Sequence, residues 1–250
     1  MTRATPHGPV DLVRQILLFG IAYYVYRLTR GAIDGNPSIA FENARRIIDV
    51  ERTLHVFIEP SVQHWASGWS FVTDAAAWIY INAQTSVTLG ALAWLYLFRN
   101  ESFYFVRNMF GIAFAIALIG YVVYPTAPPR FMPEWGFQDT VSEYTGVPQD
   151  SVAVNALFNP YAAVPSMHVG FALMIGWPLA RLVRWRPLKA FWLAYPFLVT
   201  FVIVVTANHF LADAFLGALT AAAGAYGAAW MARVRPEAWR FMPQEARATA

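Results

Sequence analysis

The chain has 250 residues, of which 58% are hydrophobic, 16% aromatic and only 13% charged, with a net charge of +3 and no cysteine. A soluble domain carries about 25% charged residues, so this composition excludes an ordinary water-soluble enzyme and predicts a surface that largely faces lipid. The small net charge offers no footprint for nucleic acid, and without thiols there is no disulfide, no cysteine nucleophile and no cysteine metal ligand.

Six apolar runs approach the roughly 20 residues that cross about 30 Å of hydrocarbon. In chain order they extend from about Leu12 to Leu28, Phe71 to Phe98, Tyr104 to Tyr124, Ser166 to Val183, Ala190 to Val205 and Asn208 to Met231. The expected architecture is an all-α integral membrane protein, one membrane domain over 1–250 with six transmembrane helices. Arg14 and Arg27 bracket the first run and must snorkel to the two interfaces. A signal peptide is its alternative reading, disfavoured because no small-residue cleavage site follows at the usual distance.

Between the first two runs, Asn36-Pro37 reads as a helix start with Pro at the first helical position. Ala40, Ala44, Ile47, Leu54 and Ile58 then recur at helical spacing, while Glu42, Arg45, Arg46, Asp49 and Arg52 mostly fall elsewhere. That pattern predicts an amphipathic helix over about 37–58, lying in the interface plane or packed on the spans. The second run contains Asp74, Asn82, Gln84, Thr85, Ser86 and Thr88. Most suit bonding between helices, and Asn82 and Asp74 stand out as candidates for a headgroup pocket. The stretch over about 126–164 is too polar and too rich in Pro and Gly to span. Its Trp135, Phe137, Tyr144, Phe158 and Tyr161 suit an outer loop at headgroup level. The catalytic core is expected over about 104–231.

Six spans put both termini on one side, which then holds 12 of the 18 basic residues, Arg3, Arg240 and Arg247 among them. By the positive-inside rule the termini are cytoplasmic. Apart from Lys189 every basic residue is Arg, which with abundant Ala suggests a GC-rich bacterial genome and hence a bacterial plasma membrane. Arg130 then follows the outward end of the third span, Ser166 and His168 open the fourth, and His209 and Asp213 open the sixth. All five meet at the outer face. Ionisable residues at membrane depth are costly and are functional candidates by default.

His209 and Asp213 are four apart, so on a helix the carboxylate can hold one ring nitrogen and leave the other as a nucleophile, as in a catalytic triad. His168 lies beside Ser166 and the free amides that follow Pro165, and helix N-termini bind phosphate readily. A histidine held there can protonate a leaving oxygen, and Arg130 offers a planar fork matched to phosphate. Tyr124, Asp139, Asn82 and Asn208 complete a possible substrate pocket. Three alternatives stay open at this point: a zinc or iron site on the two histidines and Asp213, Ser166 as nucleophile, and a non-enzymatic transporter whose His and Asp carry protons.

The strings Ala127-Pro128-Pro129-Arg130, Pro165-Ser166-Met167-His168 and His209 with Asp213 resemble the motifs of the phosphatidic acid phosphatase type 2 and haloperoxidase superfamily. The resemblance covers about Asn43 to Trp230. Within it, Tyr124 to Arg130, Gly136-Phe137-Gln138-Asp139-Thr140 and the Asp49 to Glu59 stretch look most like the branch of inositol phosphorylceramide synthases and their bacterial relatives. The resemblance implies a six-helix core, no metal or other cofactor, and a phosphohistidine intermediate. In it His209 is the nucleophile, Asp213 its orienter, His168 the acid and later base, and Arg130 and Ser166 bind phosphate. Two cations of the phosphatase branch are replaced here by Val123 and Ile203. Weaker charge compensation favours transfer of a phosphoinositol-like headgroup to an alcohol over plain phosphatase action. The expected partners are a membrane phospholipid or polyprenyl phosphate, a sugar or inositol acceptor, and the bilayer.

Overall fold

Hydrocarbon leaves backbone amides no partner but one another, so helices are the simplest way to fold apolar runs. The computed structural model describes residues 8–32, 36–148 and 159–235, and these are helical apart from loops and one isolated bridge between Thr126 and Ala162. The helices are α1 (Gly8–Ala32), α2 (Pro37–Thr53), α3 (Glu59–Ser67), α4 (Ser70–Phe98), α5 (Asn100–Val123), α6 (Thr140–Thr145), α7 (Met167–Leu182), α8 (Arg186–Val205) and α9 (Leu211–Val234). Residues 149–158 of the expected outer loop, with Phe158, lie outside the described residues, as do Arg3, Arg240 and Arg247 of the charge count.

By length and composition α5, α8 and α9 can cross a membrane, and α7 is a shorter apolar helix. With 25 and 29 residues, α1 and α4 are long enough to cross, but each is interrupted by polar side chains. The main core joins α1, α4, α5, α7 and α9. Phe110 of α5 meets Phe171 of α7 edge-on, with centroids 4.9 Å apart. Near one end of α1, Tyr26 stacks on Phe114 at 4.7 Å and its hydroxyl lies 3.1 Å from that of Tyr121. Near the other end, buried Asp11 accepts hydrogen bonds from the Tyr96 and Tyr104 hydroxyls at 2.8 and 3.1 Å. Pinned at both ends, α1 holds Arg30 in a fixed place one turn beyond Tyr26.

The amphipathic helix expected over 37–58 is shorter than its apolar spacing suggests, and a second helix follows a turn. Asn36 caps α2 as expected, its side chain accepting from the Ser38 amide at 3.0 Å with Pro37 next. The apolar spacing then runs on, but the helix stops at Thr53, His55 takes φ of 59°, and α3 begins at Glu59-Pro60. Leu54 and Ile58 are therefore exposed, and the buried face of α2 ends on Glu51. That face packs on Met132, Phe137 and Phe210, residues of the loops that carry the site.

The last helix starts three residues later than the apolar run suggests. Asp213 turns its carboxylate back to the Phe210 amide at 3.1 Å, which fixes the start of α9 at Leu211 and leaves Asn208 and His209 in the loop before it. Small residues let α9 approach its neighbours closely. A Cβ on Gly217 would collide with the Ser166 carbonyl of the turn before α7, and one on Gly224 would lie 2.9 Å from the Met109 carbonyl of α5.

Gly217→Ala is therefore expected to destabilise the protein by about 1–3 kcal/mol, the usual range for overpacking, seen as a lower thermal midpoint in detergent. Gly111→Ala, where nothing lies within 4 Å of the added Cβ, leaves the midpoint unchanged.

Candidate active site

Three loops and two helices converge at one end of the bundle. The turn at Pro129–Phe131 brings Arg130, whose amide donates to the Ala207 carbonyl at 2.8 Å and so ties this turn to the loop carrying His209. The first turn of α7 brings His168, and the Tyr80 ring of α4 stacks on its imidazole at 4.5 Å.

His209 Nδ1 lies 3.2 Å from Asp213 Oδ2, and both side chains are buried. The contact expected from helical spacing is thus present, although His209 itself precedes the helix. One carboxylate oxygen serves both the His209 ring and the Phe210 amide, so the cap of α9 also orients the imidazole. With Nδ1 turned to Asp213, Nε2 is the nitrogen left for chemistry. The His168 and His209 rings are 5.5 Å apart between centroids. Burial, and then the positive charges of Arg30 and Arg130, outweigh a hydrogen bond to the Ala163 backbone and push the His209 imidazole down to about 3, so the ring is neutral.

His168 and His209 line a cavity of about 280 Å³ with Arg27, Arg30, Arg130, Asn208 and Gln84. Asn208 is oriented on both sides, accepting from Arg130 Nη1 and donating to the Thr206 carbonyl at 3.0 Å. Three guanidinium groups, of Arg27, Arg30 and Arg130, beside two imidazoles make the cavity a receptor for an anion.

The remaining expected residues divide. Asp139 is 4.0 Å from Arg130 Nε and caps α6 through the Ser142 amide at 3.0 Å, so it steadies the clamp from behind the cavity wall. Tyr124 packs at the edge of the cluster beneath α2 and does not line the cavity. Asn82 is exposed and donates to the Trp78 carbonyl within its own helix, and Asp74 is exposed. The polar side chains of α4 that do line the cavity are Gln84 and Thr85, two and three residues further round the helix. Ser166 is fully buried outside the lining, where its amide donates to the Asp213 carbonyl at 3.0 Å and its hydroxyl has no partner. Its contribution is to join the starts of α7 and α9. Among the described residues no group of three His, Asp or Glu side chains is placed to hold a metal ion.

Arg27 and Arg30 line the cavity and were missed by sequence reasoning, and Arg30 is the one whose buried contacts fix it there. Its Nη2 donates to the Ala162 carbonyl at 3.2 Å, its guanidinium lies 5.4 Å from the Tyr121 ring centroid, and its buried Nε has no partner. The available signal was a second Arg one turn beyond Arg27 at the end of the first apolar run, which looked like an ordinary interfacial flank.

Residues 45–227 match the sequence pattern of the PAP2 superfamily. No curated protein and no solved structure matches the chain significantly.

An oxyanion probe tests the electrostatics directly. Arg30→Ala is expected to weaken orthovanadate binding about 10- to 100-fold, the loss of a charged hydrogen bond, in isothermal titration calorimetry. Arg181→Ala, on the exposed far end of α7, serves as the control and leaves the affinity unchanged.

Proposed function

Because the chain belongs to the PAP2 superfamily, whose members are phosphatases and phosphotransferases acting on phosphoesters, we propose that it is a metal-independent lipid phosphotransferase working through a phosphohistidine on His209. The observation that carries this reading is the pairing of His209 with Asp213 behind a cavity that His209 and His168 share with three arginines.

In the proposed cycle Arg30 and Arg130 hold the non-bridging phosphate oxygens over His209. Nε2 attacks phosphorus, the bond to the leaving oxygen breaks, and His168 gives that oxygen its proton. Asp213 stabilises the positive charge that develops on the His209 ring. In the second half His168 takes a proton from the acceptor hydroxyl, which attacks the phosphorus and returns His209 to its neutral form.

The lipid is proposed to enter from the bilayer between α1 and α4, whose Tyr23, Arg27, Ile81 and Thr85 line the cavity. With α5, α7, α8 and α9 these two helices would make six spans of a single domain in a bacterial plasma membrane. The termini would be cytoplasmic and the site would lie at the outer face.

The preferred reaction is that of the inositol phosphorylceramide synthase-like branch, transfer of a phosphoinositol-like headgroup from a phospholipid to an alcohol. The side chains at the two expected cation positions support it, since Val123 faces outward and Ile203 is fully buried in apolar surroundings. Arg30 favours a second reading. It restores one cation, so the pocket also suits the dianion of a lipid or polyprenyl monophosphate, with water as acceptor.

Radiolabelled phospholipids and polyprenyl phosphates, offered with and without inositol or sugar acceptors, separate the two. Wild type is expected to turn over at least one donor and to be inhibited by vanadate. His209→Ala is expected to retain less than roughly a thousandth of the rate, as for loss of a covalent nucleophile. Near-normal turnover by this variant overturns the assignment of His209, and label appearing only in free phosphate selects hydrolysis.

A further inference from the structure

The first amides of a helix have no partner within it and must find one elsewhere. At the start of α9 this demand meets a poor local supply, because the cap position is Phe210, whose side chain accepts nothing. Three carboxyl groups answer it in succession. Asp213 takes the Phe210 amide, Glu59 Oε1 takes the Leu211 amide at 2.8 Å, and Glu51 Oε1 takes the Ala212 amide at 2.7 Å. Glu51 ends the buried face of α2 and Glu59 begins α3, so two of the three acceptors come from far away in sequence. They are 2% and 1% exposed.

Each glutamate also has a second oxygen, Oε2, that is buried and has no partner when both groups are ionised. The two side chains lie within hydrogen-bonding reach of each other. Two adjacent ionised carboxylates in an apolar setting repel, whereas one proton between them turns that repulsion into a hydrogen bond.

We propose that Glu51 and Glu59 share one proton, and that this acid–carboxylate pair is a positioning device that fixes the start of α9 and with it the His209 nucleophile. Burial and the neighbouring Glu59 carboxyl push the Glu51 group up to about 9, so the pair keeps its proton at neutral pH. The groups facing the pair are Asp213 and the first amides of α9, while Arg52 on the same helix as Glu51 turns to the Trp135 ring instead. His209 lies two residues before Leu211, and a small displacement of the helix start would carry Nε2 out of line with phosphorus. Neither glutamate lines the cavity, so the pair acts on the rate through His209 and not by binding phosphate.

The linkage has a definite sign. A carboxyl raised from its ordinary range to about 9 in the folded protein stabilises it most at low pH, and that contribution is lost as pH rises toward 9. Above 9 two adjacent anions beside Asp213 loosen the start of α9.

The proposal rests on the phosphotransfer reading for its kinetic arm only, and full-length wild type, Glu51→Gln and Glu51→Ala in detergent test it on two readouts. In the Gln variant the amide oxygen still accepts from Ala212, and a permanent N–H replaces the shared proton toward Glu59. It is expected to keep kcat at pH 7 within about threefold of wild type and to lose the alkaline fall in activity near pH 9. Glu51→Ala is expected to lose about 100-fold in kcat with KM within about threefold, as for a misplaced nucleophile.

The second readout needs no substrate. The wild-type thermal midpoint is expected to fall between pH 6 and 10, with a much flatter profile for Glu51→Gln. The two proteins sharing one pH dependence of the midpoint would overturn the pair, even where Glu51→Ala fails to fold. A wild type that shows the thermal behaviour but turns over no phosphoester would sink the phosphotransfer reading and leave the pair standing.

Discussion

The amino end of α9 is the point on which the rest of the site depends. Three consecutive amides there, of Phe210, Leu211 and Ala212, have no backbone partner within the helix, and the fully buried one, Phe210, would cost about 1–3 kcal/mol if left without an acceptor. Their acceptors are carboxyl groups, and the negative charge these carry is favoured electrostatically at a helix N-terminus as well as through hydrogen bonds. One of them, Asp213, is also the partner of the His209 ring, so the demand that starts the helix and the demand that orients the imidazole are met by the same oxygen. The other two arrive from α2 and α3, which gives these helices a reason to be where they are.

That reason extends to the loops. Asn43 of α2 donates to the Pro125 carbonyl at 2.9 Å, and the Ala127 amide donates to the Ala40 carbonyl at 3.1 Å, so α2 holds the strand of chain that leads into Arg130. Gln63 of α3 donates to the carbonyls of Val205 and Gln138 and accepts from the Gln138 amide, joining the end of α8 to the loop before Asp139. The anion clamp and the nucleophile are thereby referred to one scaffold. A site whose groups must agree within a fraction of an ångström needs such support from behind, because the cavity side is occupied by substrate. Of the two placements that the amphipathic pattern of α2 allowed, on the membrane surface or packed on the spans, the packed one is found, and with α3 it forms the frame on which three loops are hung.

Much of this was legible from residue patterns, and the limits have physical causes. The apolar runs located the long helices to within a few residues, Asn36-Pro37 marked the start of α2, and the His168, His209 and Asp213 strings pointed to groups that do meet. Periodicity failed where the chain turned without losing its period. Leu54 and Ile58 continue the apolar spacing, but the backbone turns left-handed at His55, and no side-chain pattern announces that. It failed again within α4, where Asn82 and Gln84 look equally apt until a neighbouring helix decides which face is inward. Buried Glu51 and Glu59 were invisible for a different reason. A carboxylate reads as surface until its partners are known, and here those partners are amides more than 150 positions away.

Arg30 shows how the same chemical requirement can be met from an unexpected direction. An anionic substrate in a cavity lined by α4 and α7 needs more than one positive charge nearby, and a lone guanidinium beside Asp139 is partly neutralised by it. The chain carries Val123 and Ile203 where its resemblance leads one to expect cations, and both side chains are committed elsewhere, one to the outer surface and one to a packed apolar cluster. Arg30 enters from α1, outside the stretch that matches the superfamily pattern, and lines the cavity beside Arg130. Its position depends on α1 being pinned by Asp11 at one end and Tyr26 at the other. Charge compensation in this site is therefore a property of how the first helix docks, and a motif search confined to the catalytic strings would count one cation where the fold supplies three, two of them from α1.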